Sequence, residues 1–245
     1  MYNFFDFTTN VPKEFVFNNW SFEHISAILL VTICIILSLK ALKKLPSNKQ
    51  SMIVKICAIF VPVLEISHNI WLYFANNAPI IELLSLHLCG LQMYFIPLAV
   101  FTNFIVFKDF IFASSILGGI FGIVFPSGVT GSYPFWHFQT LQTLLYHGLL
   151  IFVPLALLVT TNYRPSLKRF YKVLILFFII ALVCIWVDLG YGQNYMFLVT
   201  APEMPLLSNI QKTYGTFAYL SFTFIALLSI CIAIHLPFEF KTKKE

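Results

Sequence analysis

The chain has 245 residues, of which 59% are hydrophobic and 10% charged, and its mean hydropathy is +0.86. Soluble domains are about 45–50% apolar and about 25% charged. The composition therefore excludes a water-soluble globular protein, a disordered chain and a nucleic-acid-binding protein. We expect an all-α, polytopic membrane protein of one domain, built from helices of about 20 mostly apolar residues.

Seven apolar runs follow one another along the chain and predict seven transmembrane helices. No linker resembles a folded soluble domain, and no internal repeat is visible. Residues 1–245 are therefore expected to form a single integral membrane domain. The predicted helices cover approximately 22–42, 52–75, 84–106, 110–126, 140–161, 170–190 and 214–236.

The basic residues predict the orientation in the membrane. Of the 15 Lys and Arg residues, all but Lys13 and Lys212 fall on one side of the seven-helix arrangement. Because cytoplasmic connections are enriched in basic residues, the N-terminus is expected outside and the C-terminus in the cytoplasm. A six-helix alternative that lacks the fourth run would place one basic group on the wrong side. We expect a multi-pass protein of the cell membrane.

The five cysteines all lie inside apolar runs, and no C-x-x-C motif occurs. An odd number of cysteines in such positions disfavours a disulfide framework. The N-terminal residues lack the basic region of a cleaved signal peptide, so the first apolar run is expected to remain as a transmembrane helix.

Polar side chains within the apolar runs are candidates for a functional site, because ionisable groups are costly inside a membrane. Glu65, His68 and Asn69 have i, i+3, i+4 spacing and share one face of the second predicted helix. Asp188 is the other acid in or at the edge of a run. In the predicted orientation, these groups lie in the outer half of the membrane.

The third and fifth predicted helices place further polar groups at a similar depth. Cys89 and Gln92 share a face of the third helix with Ser85, whereas His87 points elsewhere on a regular helix. A base for Cys89 then comes from another helix, unless the start of the third helix is unwound. The fifth helix carries His147 in line with Thr143 and Thr140.

Each of these residues also has a purely structural interpretation. A cysteine in a transmembrane helix commonly serves as a small packing residue. Glu65 fits equally well as a protonated acid bonded to a neighbouring helix, and Asp188 as an interfacial residue. His24, His137 and His235 are interpreted as loop or interfacial residues, and the glycines of the fourth helix as a close-packing face.

Metal and nucleotide motifs are weak or missing. Glu65-x-x-His68 matches half of a di-iron signature, but the second half does not occur. His87-x-Cys89 lacks the P-C-x-x-C that completes a deaminase-type zinc site. The sequence contains no H-E-x-x-H, Walker A, G-x-S-x-G or G-x-G-x-x-G motif. We therefore predict no metal and no cofactor, and ATP-driven transport by this chain alone is disfavoured.

The runs LSLHLCGLQMYFIPLAVF (84–101) and TLLYHGLLIFVPLALL (143–158), with the following NYRPS, resemble the YwaF-type bacterial membrane proteins. Chain length and the seven-helix arrangement fit the same family. That family is similar to the eukaryotic transmembrane protein 164 group, which acts as a lipid acyltransferase through a membrane cysteine and a histidine.

The resemblance implies that Cys89 accepts the acyl group and that His147 is its general base, with His87 in reserve. A thiolate would attack a phospholipid ester, and a lysolipid hydroxyl would then take the acyl group from the thioester. Candidate oxyanion donors are Gln92, Thr143 and Asn69. The full set of expected substrate-binding residues is Glu65, His68, Asn69, Gln92, Thr143 and Asp188.

A second hypothesis is a transporter or sensor that binds a small solute or proton through Glu65, His68, His87 and Asp188. Transporters typically carry polar groups at the midplane and internal repeats. Here the polar groups cluster in one leaflet and no repeat is visible, which favours chemistry on a lipid. The expected partners are membrane phospholipids, with no nucleic acid, and the oligomeric state stays open.

Overall fold

The computed structural model describes residues 2–202 and 204–241, without the side chains of 240 and 241. Within these ranges the secondary structure is entirely helical and contains no strand. All helices except the third are long and apolar enough to cross a membrane, which confirms an all-α, multi-pass membrane protein. The seven helices are α1 (Phe22–Lys43), α2 (Ser47–Asn76), α3 (Gln92–Phe101), α4 (Ile105–Val124), α5 (Phe138–Thr160), α6 (Phe170–Tyr191) and α7 (Pro205–Lys241).

The chain forms two compact units, the first ending at Tyr163 and the second beginning at Arg164. The first unit contains α1–α5, and the second contains α6 and α7. In the first unit, α4 packs against α3 and α5, while α5 also packs against α1 and α2. The α4–α5 contact includes a hydrogen bond from Ser115 Oγ to Leu150 O at 2.6 Å. Since lipid tails are as apolar as leucine, close packing rather than exclusion of water holds these helices together.

The third helix is shorter than predicted. The sequence predicts a helix over 84–106, whereas α3 covers ten residues, or about 15 Å, which is half of a typical hydrocarbon core. The segment before α3 leaves the helical path at Ser85, whose φ of +51° is left-handed. The side chain of Asn69 holds this bend by donating to Leu83 O at 3.0 Å and to Ser85 Oγ at 3.0 Å. These bonds from Asn69, which lies 14 residues before Leu83 and 16 before Ser85, replace the first turns of the predicted helix.

The residues before α1 pack onto the ends of α2 and α5. Trp71 Nε1 donates to Phe5 O at 2.9 Å, and Phe138 N donates to Phe4 O at 3.1 Å. Trp71 also belongs to a buried apolar cluster with Val11 and Tyr133. This N-terminal segment is therefore an ordered part of the first unit.

In the second unit, side-chain bonds hold the residues that flank α6. The carboxylate of Glu239 on α7 accepts from Ser166 Oγ at 3.0 Å and from Leu167 N at 2.7 Å. Asp188 Oδ1 accepts from Tyr195 N at 2.8 Å. Helix α7 is interrupted at Gly215, whose φ of +84° suits a glycine. The seventh apolar run, predicted over 214–236, corresponds to the part of α7 after this interruption.

Candidate functional site

Cys89 lies in the turn that leads into α3 and faces α4. Its thiol donates to Gly118 O at a distance of 3.4 Å, and its own carbonyl accepts from Tyr146 OH at 2.8 Å. A Cβ atom added at Gly118 would lie only 3.3 Å from Cys89 Sγ. The sulfur therefore fits against α4 because residue 118 has no side chain. The unwound start of the predicted third helix thus places Cys89 between α4 and α5.

The imidazole of His147 on α5 has one paired nitrogen. Its Nδ1 lies 2.8 Å from Thr143 O, and because a carbonyl oxygen only accepts, Nδ1 carries the proton. Within the described residues, Nε2 makes no hydrogen bond and keeps its lone pair. The ring lies so close to α4 that a Cβ at Gly122 would overlap it.

The two glycines bring Cys89 and His147 onto the same face of α4. Gly118 and Gly122 are four residues apart, so the positions of their missing Cβ atoms are about 5–6 Å apart. The sulfur and the imidazole therefore occupy neighbouring positions along α4. The described structure contains no direct hydrogen bond between them, because the thiol donates to Gly118 O. Proton transfer needs the thiol to turn from that carbonyl towards His147.

Helix α2 holds the turn that carries Cys89. The carboxyl of Glu65 is buried and interacts with the Ser85 hydroxyl, which also accepts from Asn69. Glu65 is also within electrostatic reach of Cys89. A Cβ at Gly90 would lie 2.5 Å from Ser85 O, so the turn closes tightly only with glycine there. The Nδ2 hydrogens of Asn69 are already used in the bonds to Leu83 O and Ser85 Oγ, so Asn69 positions the turn before Cys89.

Gln92 lies at the first turn of α3 and is completely buried. Its Nε2 donates to Leu88 O at 2.9 Å and to Ser114 Oγ at 3.1 Å, which links α3 to α4. Its Oε1 has no hydrogen-bond partner among the described residues. The amide hydrogens are therefore in use, whereas one acceptor stays unpaired.

His68 lies on α2 with its ring against Trp71, at a centroid distance of 6.0 Å and an interplanar angle of 25°. It is within electrostatic reach of His147. The predicted site residues that the first unit brings into this connected region are Glu65, His68, Asn69, Cys89, Gln92, Thr143 and His147. His87 is exposed, and Asp188 belongs to the second unit, where it bonds Tyr195.

Sequence reasoning missed several buried polar residues. Asp109 is buried in α4 and accepts from Tyr163 OH at 3.0 Å, although the predicted fourth run began one residue after it. Tyr146 and Gln139 also went unrecognised. His24, His137 and His235 lie near helix ends and are buried. The i, i+4 spacing with His147 made Thr143 a candidate from the sequence, whereas a tyrosine or glutamine in an apolar run gives no such signal.

An apolar groove runs along α1, α2 and α5 within the first unit. Its volume is about 600 Å³, and α5 contributes Gly148 and Phe152 to its wall. Val31 and Cys34 of α1 line the opposite side. Helix α5 thus presents one face to this groove and an adjacent face, with His147, to α4.

No group of three or more His, Cys, Asp and Glu residues that could hold a metal ion occurs in the part of the chain that the structure describes. The polar groups that the first unit brings together are the thiol of Cys89, the carboxyl of Glu65, the imidazoles and the amides described above.

The fold and the buried polar region define a multi-pass helical membrane protein with a cysteine and a histidine on a shared helix face. The family model of the TMEM164 family matches residues 19–235, which is most of the chain. The chain belongs to this family, and the predicted relationship to the transmembrane protein 164 group is confirmed. Comparison with curated proteins and with solved structures gave no match.

Proposed function

We propose that this protein is a lipid acyltransferase of the cell membrane, with Cys89 as acyl carrier and His147 as general base. The observation that carries this proposal is the shared face of α4, where Gly118 receives the sulfur and Gly122 receives the imidazole. A thiol in apolar surroundings is a poor nucleophile, so a neighbouring base is needed to take its proton. The unprotonated Nε2 of His147 is such a base.

The reaction has two steps. In the first, His147 Nε2 takes the thiol proton, and the sulfur of Cys89 attacks the ester carbonyl of a phospholipid. The C–O bond breaks, the leaving oxygen receives the proton from His147, and a lysolipid departs from the acyl-thioester. In the second step, a lysolipid hydroxyl gives its proton to His147 and attacks the thioester. The thiolate leaves and takes the proton back.

The apolar groove supports a lipid substrate. It borders α5, and Gly148, the residue after His147, lines its wall. Its volume of about 600 Å³ falls within the range of about 300–1,000 Å³ that is typical of ligand pockets. The distribution of basic residues supports an external N-terminus, which would place Cys89 and His147 in the outer half of the membrane.

Mass spectrometry of purified protein incubated with phospholipid tests the proposal. We expect an acyl-thioester on Cys89 in the wild-type protein and none on residue 89 in Cys89→Ala. Cys231→Ser is a matched control, because Cys231 is a cysteine on α7 of the second unit, and it should retain the thioester. Unchanged acyl transfer in Cys89→Ala would rule out this mechanism.

Proton-coupled transport or sensing is the second candidate, and the buried carboxyl of Glu65 beside His68 favours it. Reconstituted vesicles that contain a pH-sensitive dye test this candidate. Proton flux that disappears in Glu65→Gln and persists in Cys89→Ala would support transport. Absence of flux in the wild-type protein would contradict it.

A further inference from the structure

Two sulfur atoms lie side by side in the second unit. The thiol of Cys184, which is fully buried in α6, donates to Met196 Sδ at a distance of 3.6 Å. Met196 belongs to the short helical turn Tyr195–Phe197, which follows α6. A thioether is only a weak hydrogen-bond acceptor, whereas a thiolate and a thioether together are ligands that select Cu(I). The pair therefore has the donor atoms of a site for a soft metal ion.

A buried carboxyl group lies beside the two sulfurs. Asp188 comes one helical turn after Cys184 on the same face of α6, and the two side chains are within electrostatic reach of each other. One oxygen, Oδ1, accepts from the backbone N–H of Tyr195, the residue before Met196, at 2.8 Å. The other oxygen, Oδ2, is buried and has no hydrogen-bond partner among the described residues. Because an unpaired buried carboxylate is costly, Oδ2 marks the place of a proton or a cation.

The turn that carries Met196 has an uncommon backbone conformation. Met196 and Phe197 are both left-handed, with φ angles of +55° and +58°. Residues other than glycine rarely adopt this conformation, which persists only where the surroundings fix it. Two bonds do so here, since Tyr195 N donates to Asp188 and Tyr219 OH donates to Phe197 O at 2.9 Å. The thioether is therefore held against the thiol before any ion arrives, which lowers the entropy cost of binding.

The distance between the sulfurs fits a metal ion that both of them bind. Two metal–sulfur bonds of about 2.3 Å span 3.6 Å when the angle at the metal is about 103°, close to the tetrahedral angle. The usual protein ligands of Zn²⁺ are thiolate, imidazole and carboxylate, so a thioether disfavours zinc. The donor set therefore points to Cu(I).

We propose that Cys184 and Met196 bind one Cu(I) ion and that Asp188 takes the thiol proton. The proton passes from Cys184 Sγ to Asp188 Oδ2, and Cu(I) bonds the resulting thiolate and Met196 Sδ. Copper stays in the +1 state, so the step needs no oxidant or reductant. The ion adds one positive charge to a site that held one carboxylate, and the loaded site is neutral. This copper site does not depend on the acyl transfer proposed for Cys89.

Competition for Cu(I) tests the site in the purified full-length protein. Protein in detergent is titrated, without oxygen, against the coloured Cu(I) complex of bathocuproine disulfonate, and the loss of colour measures the transfer of copper. The wild-type protein should take up one tightly bound Cu(I) per chain. Cys184→Ser and Met196→Leu should lose this ion, and Met196→Leu should still fold because leucine conserves the volume.

Cys231→Ser is the matched control, since it changes a cysteine on α7 of the same unit, and it should retain the ion. Retention of copper by Met196→Leu, or its loss from Cys231→Ser, would overturn the assignment. Zn²⁺ offered at the same concentration should not bind at this site. Equal binding of Zn²⁺ that Met196→Leu abolishes would contradict the selection of Cu(I).

X-ray absorption at the copper edge identifies the ligand atoms directly. The loaded wild-type protein should show two sulfur neighbours, at about the 2.3 Å of a metal–thiolate bond. Copper in the wild-type protein that has only nitrogen and oxygen neighbours would overturn the proposal without any variant.

Proton counting tests the role of Asp188. Loading of the wild-type protein with Cu(I) in weakly buffered solution should release no proton, because Asp188 keeps it. Asp188→Asn should release about one proton per ion, and its affinity for Cu(I) should fall about 10–100-fold, as is typical when a group that supports a metal ligand is lost. Release of one proton by the wild-type protein, or of none by Asp188→Asn, would contradict the role of Asp188.

Discussion

Two histidines on the first unit differ in how completely they are paired. At the start of α1, His24 Nδ1 accepts from Trp20 N at 3.0 Å, and Nε2 lies 2.9 Å from Ile123 O. On α2, His68 Nε2 has no partner among the described groups. Both imidazoles lie in the first unit, but only the imidazole of His24 has a hydrogen-bond partner at each of its two nitrogens. Burial alone therefore does not identify a binding residue, and an unpaired buried nitrogen marks a group whose role the fold does not explain.

The largest expected effect concerns His147, which resembles His68 in having an unpaired nitrogen. His147→Gln should slow acyl transfer about 10²–10⁴-fold, because general-base catalysis is lost. The rate of thioester formation measured by mass spectrometry checks this. His24→Gln is the matched control and should retain the rate per folded molecule. Similar losses in both variants would remove the functional difference between the two kinds of histidine.

Gly122→Ala should also impair the reaction while leaving every titratable group in place. The new methyl group would overlap the imidazole of His147 and displace it. A displacement of about 1 Å can reduce the rate about 10²-fold. Gly190→Ala is the control, because a Cβ there would meet nothing within 4 Å in the described structure. Full activity in Gly122→Ala would contradict the placement of His147 against α4.

Asn69→Leu should reduce the rate by about tenfold, since it removes the two bonds that hold the turn before Cys89. A moderate loss of stability is expected as well, because Leu83 O and Ser85 Oγ lose a partner. Reactivity of Cys89 towards a thiol reagent measures the position of the turn. Unchanged labelling and an unchanged rate would argue against a positioning role.

His24→Leu should act on stability and leave the chemistry intact. Loss of its bonds leaves Trp20 N and Ile123 O unpaired, at a cost of about 1–3 kcal/mol. The melting temperature in detergent should fall, and the rate per folded molecule should stay within about twofold.

The smallest effect is a pH dependence of stability at His137, which precedes α5 and caps it. Burial lowers the pKa of His137 from its usual value of 6.5, and Asp6 partly opposes this. A histidine with a lowered folded-state pKa gives its full stability above about pH 6.5 and loses it as the pH falls. Melting temperature should therefore decrease from pH 7 to about pH 5, and less so in His137→Asn, which caps without titrating. Identical profiles would exclude His137 as the cause.

The apolar runs predict the helices well, because a membrane demands long apolar segments. The start of α3 differs, since Asn69 bonds Leu83 O and Ser85, and this competition with the helix depends on a contact between distant residues. Helical spacing shows that Glu65, His68 and Asn69 share a face, but not which neighbouring helix that face meets. The glycines of α4 indicate close packing, yet the sequence does not reveal that Cys89 and His147 are the groups they admit.

The ordered N-terminal segment has a practical consequence for protein engineering. Deletion of residues 2–17 would remove the acceptors of Trp71 Nε1 and Phe138 N, and it would take Val11 out of the apolar cluster that it forms with Trp71 and Tyr133. Because the His68 ring stacks on Trp71, such a truncation would also disturb the α2 face that carries His68. Affinity tags and reporter fusions are therefore better attached after α7, because the N-terminal segment then stays packed on α2 and α5.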